Sequence, residues 1–138
     1  VSESSFAHHT TRRTRTAHFN HPTIASSNPA EMARFYRELL KVEEAPSWGS
    51  YVNVQIADGV LLQFAAPPID FPPQHYAYLL DHAHFDWAYT QITASGREHW
   101  ADPQRTRAGE INHEHGGRGV YLLDRSGHYL ELITQPYL

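Results

Sequence analysis

Asp58-Gly59-Val60-Leu61-Leu62-Gln63 and Ser126-Gly127-His128-Tyr129-Leu130-Glu131 are two copies of one pattern. Each is a glycine turn followed by a strand-like stretch that ends on a side chain with a carbonyl oxygen donor. Asp-Gly is a strong hairpin signal. Before the first copy, residues 51–56 alternate between apolar and polar, as a half-buried strand does, and residues 60–65 return antiparallel. Before the second, residues 118–124 form the outgoing strand, and residues 128–134 return as the last one.

Upstream, each copy has the same preface. Residues 18–26 read as a first strand, with Pro22 limiting its pairing. Asn28-Pro29-Ala30-Glu31 is a helix start: Asn28 can cap, and Pro29 fits the first helical position. Met32, Phe35, Tyr36, Leu39 and Leu40 recur on one helical face, and the helix ends near Lys41. A short strand is expected at 42–45. In the second half, residues 74–80 read as a strand. A helix follows over 81–95, with Asp81 as cap, Phe85, Ala88, Tyr89 and Ile92 on one face, and Gly96 after its end. A short strand at 97–101 and a long polar loop at 102–115 complete it. Between the halves, Pro67, Pro68, Pro72 and Pro73 form a semi-rigid connector.

Each half therefore reads strand–helix–strand–strand–strand. The fold class is α+β: two βαβββ modules packed as a pair, because a repeat of this size rarely buries its apolar face alone. The expected layout is a polar, disordered arm at 1–17 and one domain at 18–138. Within it, repeat one spans 18–66, the connector 67–73 and repeat two 74–137. Superposing the halves places His21 over His75 and Gln63 over Glu131. Two imidazoles and one carboxylate make a three-donor set for a divalent ion that leaves coordination positions open. Glu131 lies between Leu130 and Leu132, so if it points inward it needs a charge partner, and a metal supplies one.

Composition narrows the chemistry. The chain has 138 residues, is 41% hydrophobic, and carries a formal net charge of −4. It has no basic stripe, and its one basic cluster, Arg12, Arg13 and Arg15, reads as a surface tail; no nucleic-acid partner is expected. There is no cysteine, which removes thiolate metal sites and nucleophiles. Any ion would be held by nitrogen and oxygen, so iron, manganese, zinc, nickel and cobalt are the candidates. No run approaches the length of a membrane span. A cytoplasmic location, a small-molecule substrate and a homodimer are the expectations.

The arrangement resembles the vicinal oxygen chelate superfamily, which includes glyoxalases, extradiol dioxygenases, fosfomycin-resistance transferases and bleomycin-binding proteins. The resemblance covers residues 18–137. Phe19-Asn20-His21, Asn28-Pro29, Phe35-Tyr36-Arg37-Glu38-Leu39-Leu40, His75 with its strand, Gly117 to Asp124, and Gly127-His128-Tyr129-Leu130-Glu131 carry it. The family's turn before the final strand is usually Asp-Pro-Asp-Gly; here Arg125 replaces the proline. The resemblance implies a curled mixed sheet around a metal-binding cup, with His21, His75 and Glu131 as ligands and Gln63 at the variable fourth position. His21 would join the site in cis or across a dimer.

For catalysis, the resemblance implies a metal-dependent enzyme that chelates two vicinal oxygens of a small substrate, either extradiol dioxygenase-like or glyoxalase-like. Gln63 in place of a carboxylate counts against a fourth-position base. Tyr121, on the strand beside Glu131, is the candidate to orient substrate or proton, and His115 the candidate general base. Gln63, Arg118 and Trp100 are candidate substrate contacts: an amide, a cation for an anionic group, and a pocket wall. His128 should face away from Glu131. The alternative is a metal-free protein of bleomycin-resistance type that sequesters an antibiotic; retention of all three donors argues against it.

Overall fold

Asn28 starts the first helix by accepting a hydrogen bond from the Glu31 backbone N–H at 3.1 Å. In the computed structural model, which describes residues 15–138, that helix, α1, spans Pro29–Leu40. Lys41 ends it in the left-handed region at φ 56°. The second helix, α2, spans His82–Ala94, and the Asp81 side chain caps it through the His84 N–H. The arm proposed over residues 1–17 falls almost wholly outside the described residues.

The strands are β1 (Thr23–Ala25), β2 (Val52–Gln55), β3 (Leu61–Ala65), β4 (His75–Leu79), β5 (Gly119–Leu123) and β6 (Tyr129–Ile133). They form two separate three-stranded sheets, ordered β1-β3-β2 and β4-β6-β5. In each, the first strand of the half lies parallel to the last, and the middle strand pairs antiparallel with it. The register matches too. Thr23 faces Gln63 and Ala77 faces Glu131, so His21 and His75 stand at the same step, two residues earlier. Pro22 has no N–H to give, but its carbonyl and that of Asn20 accept from Gln63 and Leu61, so the ladder continues past β1 toward His21.

Two expected strands shrink to single bridges: Glu44 opposite Val54 at 42–45, and Trp100 opposite Tyr121 at 97–101. Pro46 stops the first one, since it cannot donate to a ladder. A tight turn from Asp102 stops the second, where the Asp102 carboxylate takes the Thr106 and Arg107 N–H groups. The class is α+β as expected, with one mixed three-stranded sheet from each module, and the two sheets are not closed into one.

One apolar core joins the halves. Met32, Tyr36, Leu39 and Leu40 of α1 and Phe85, Ala88 and Ile92 of α2 bury with Leu62, Phe64, Val120, Leu122, Leu130 and Leu132. A buried polar network crosses the same boundary. The Tyr36 hydroxyl donates to Asp124 Oδ2 at 2.7 Å. Asp124 Oδ1 accepts from the backbone N–H of Ser126 and of His128. His128, fully buried, accepts from the Gln74 N–H at Nδ1 (2.9 Å) and donates from Nε2 to the Ala25 carbonyl (2.7 Å). Those two bonds fix the neutral Nε2–H tautomer. His128 is therefore a strut between halves and points away from Glu131, as alternation along the strand requires.

Removing one partner of a buried, charge-assisted hydrogen bond costs more than a surface contact does. Tyr36→Phe leaves Asp124 Oδ2 without this donor and is expected to lower the unfolding free energy by about 2 kcal/mol. Urea denaturation at neutral pH measures it; an unchanged midpoint would show that the network adds nothing.

Candidate active site

Residues opposite each other across a ladder project from the same sheet face. Ala77, Glu131, Tyr121 and Trp100 are therefore one row across the second sheet, on the face away from the helices. His75, Tyr129 and Leu123 are the next row. This face is the floor of the candidate site.

Glu131 is only 2% exposed. A carboxylate so buried needs partners, and it has them. Its Oε1 lies 3.0 Å from His75 Nε2. Its Oε2 accepts a short hydrogen bond from the Tyr137 hydroxyl. Tyr121 stands directly opposite Glu131 across the ladder, and Tyr137 is the other group that acts on its hydroxyl. Burial, then the neighbouring phenol and carboxylate, push the Tyr121 hydroxyl well above its usual range. Tyr137 also moves upward, chiefly through its bond to Glu131. Both phenols therefore stay protonated at neutral pH, and act as donors rather than bases.

Tyr137 sits past β6, held by chain that contacts it from elsewhere. Its ring stacks on His115 with centroids 4.0 Å apart. Gly117 makes this approach possible: a Cβ there would stand 2.7 Å from both Gln135 Cβ and Thr134 Oγ1. The segment after β6 thus lies directly on the turn that carries His115, itself left-handed at φ 56°.

His75 is half exposed, at the mouth of the site, while Glu131 forms its base. The pair suits a metal. Two ligands about 2.1 Å from an ion, at a right angle to one another, stand about 3.0 Å apart. The third expected donor is elsewhere: His21 is exposed, and its Nδ1 lies 2.6 Å from Asn20 Oδ1. Among the described residues, no three His, Cys, Asp or Glu side chains lie close enough to hold an ion together. One chain thus supplies two donors at one point.

The remaining candidates divide. Gln63 is nearly buried, with Oε1 3.5 Å from the Thr23 hydroxyl. Its neighbour Asn53 is fully buried; Nδ2 donates to the Pro46 carbonyl, and Oδ1 has no partner. Both belong to the first sheet's equivalent of the Glu131–Tyr121 pair. Trp100 is mostly buried and pairs through its backbone with Tyr121, so it does lie on the floor row. Arg118 is engaged on α2 instead. It bonds Asp86 at 2.6 Å and His82 Nδ1 at 3.1 Å, over the Phe85 ring. A groove of about 570 Å³ between the helices, lined by Phe35, Leu39, Trp87 and Arg34 among others, includes none of the floor residues. Sequence reading missed Tyr137. The repeat supplies no counterpart for it, and a lone tyrosine in an irregular segment has no periodicity to mark it.

No family model matches the chain, and no curated protein does. Solved structures do. The chain is 40% identical to oxidase ChaP-H2, with a TM-score of 0.84, covering 88% of this chain and 96% of that one. To oxidase ChaP-H1 it is 38% identical, with a TM-score of 0.84, covering 88% and 98%. A lactoylglutathione lyase from Agrobacterium tumefaciens shares the fold at 16% identity and a TM-score of 0.67, covering 88% and 96%.

Partners of a ligating carboxylate fix its orientation, and their loss typically costs tenfold or more in metal affinity. Tyr137→Phe keeps the ring on His115 and removes only the hydroxyl. It is expected to weaken Co²⁺ binding by about 10-fold, read by titrating the visible absorption of the ion. Unchanged affinity would mean that Tyr121 alone orients Glu131.

Proposed function

Because this chain belongs to the vicinal oxygen chelate superfamily, we propose that it is a divalent-metal-dependent enzyme acting oxidatively, in dioxygenase fashion, on a small substrate with two adjacent oxygens. The observation that carries this reading is the His75–Glu131 pair, 3.0 Å apart and built on a buried carboxylate. His75, Glu131 and His21 would hold the ion. It would supply a Lewis acid with positions left open for two substrate oxygens. The 40% identity to a chain that carries the name oxidase favours the oxidative branch over isomerisation. Gln63, an amide where an isomerase would place its carboxylate base, favours it too.

The chain's own residues do the rest. Tyr121 lies beside Glu131 with its proton held, so it donates a hydrogen bond to a substrate oxygen as negative charge builds there. Tyr137 keeps Glu131 from rotating. His115, stacked on Tyr137, is the group placed to accept a proton at the site's edge. Trp100 and Tyr129 offer aromatic walls for an unsaturated substrate.

His21 does not meet His75 within one chain, yet it occupies the equivalent step of the first sheet. We propose a homodimer in which each site takes His21 from one copy and His75 and Glu131 from the other. Strands β1 and β4 are both edge strands, and Leu79 on β4 is exposed, consistent with a face that another copy covers.

Added Fe²⁺ or Co²⁺ is expected to raise the melting temperature of the protein as isolated and freed of metal. His21→Ala, His75→Ala and Glu131→Ala should each abolish the rise. No shift with any divalent ion would favour the metal-free binder. Light scattering should return the mass of two chains. A mixture of His21→Ala and Glu131→Ala chains, refolded together, should regain binding that neither shows alone. No recovery would place His21 in the same chain's site or outside it.

A further inference from the structure

We infer that Arg105 is an anion-recognising residue of this site, so that the substrate carries a carboxylate or similar oxyanion set apart from its two chelating oxygens. The inference rests on the chelation reading above and adds the substrate's charge to it.

Three observations converge on Arg105. First, its guanidinium carbon lies 5.5 Å from the centre of the Trp100 ring and 5.4 Å from that of Tyr129. Those distances are within cation–π range. Trp100 shares a row with Glu131 and Tyr121, and Tyr129 precedes Glu131 on the same face. A cation near both rings stands, exposed, over the part of the floor that Trp100 and Tyr129 form.

Second, the backbone is built to hold it there. The segment closes on itself: Ala101 N–H donates to the Arg107 carbonyl at 3.0 Å, Gly109 N–H to that of His99 at 2.8 Å, and Trp100 pairs with Ala108. The Asp102 carboxylate gathers the Thr106 N–H and hydroxyl and the Arg107 N–H. The Thr106 hydroxyl, with the backbone N–H groups, holds that carboxyl below its usual range. At the tip, Arg105 itself has φ 61°. A long L-residue seldom adopts that conformation, and it persists only where the surroundings impose it.

Third, the charge is free. Among the described residues, Arg37, Arg118 and Arg125 each have a carboxylate partner, while Arg105, like Arg34, Arg97 and Arg107, has none; what sets Arg105 apart is that it lies over two rings of the floor. A guanidinium within cation–π range of two rings and bonded to no carboxylate keeps its N–H donors available, and that planar fork matches an oxyanion. Arg118, the cation singled out by the sequence, is already committed to Asp86.

The test uses Co²⁺-loaded protein and two probes, 3,4-dihydroxybenzoate and its methyl ester. They share the vicinal oxygens and differ in the charge at the far end. Calorimetry on the wild type should show the acid binding about 10-fold tighter than the ester. Arg105→Gln should remove that preference with little change for the ester, Arg105→Lys should keep part of it, and Arg118→Gln should leave it intact. Equal binding of both probes by the wild type, or a preference that survives Arg105→Gln, would overturn the inference and leave chelation standing. Binding of neither probe would sink both.

Discussion

A carboxylate placed in the middle of an apolar sheet is the constraint around which the second half is organised. Glu131 stands between Leu130 and Leu132, which point into the core, while it faces the other way and is still almost wholly buried. An unpaired charge there would be prohibitive. Polar groups on its face therefore answer it: His75 from β4 and Tyr137 from the segment past β6 bond it, and the Tyr121 phenol of β5 stands opposite. These groups come from three separate parts of the chain, so the sheet must close in one register for the charge to be satisfied. A slip by one residue would turn Glu131 into the helices and Leu130 or Leu132 out.

The two halves solve the same problem differently. The first sheet has Gln63 where the second has Glu131, and Asn53 where it has Tyr121. Neutral amides impose no charge to be balanced, so this half needs no ring of phenols. His21 is retained at the step that matches His75. Duplication thus leaves one half with the charged anchor and the other with a histidine that bonds its neighbour Asn20 and, among the described residues, completes no ligand group.

Much of this was legible in the residues themselves. Asn28-Pro29 and Asp81 mark their helices because capping is a local interaction, and both caps form as read. The superposition of Gln63 on Glu131 predicts the register, because side-chain alternation leaves a strand no intermediate position. What escaped notice depends on distant chain. Tyr137 is placed by His115 and by the missing Cβ of Gly117. Arg105 is placed by a carboxylate three residues earlier and by rings on two strands. Arg118, the expected partner of an anion, stands three residues from Tyr121, so alternation turns it to the helix side, where it meets Asp86 on α2. The strands expected at 42–45 and 97–101 have suitable residues, but the chain turns away after one pair.

The left-handed backbone of Arg105 has a consequence for how this protein can change. Glycine at that position would relax the loop, by about 1 kcal/mol on backbone grounds. Improvement of stability alone would therefore tend to erase the side chain. A descendant in which residue 105 had become glycine would be sturdier and just as well folded, but its site would have lost the positive charge that Arg105 brings, and with it the means to tell a charged ligand from a neutral one of the same shape.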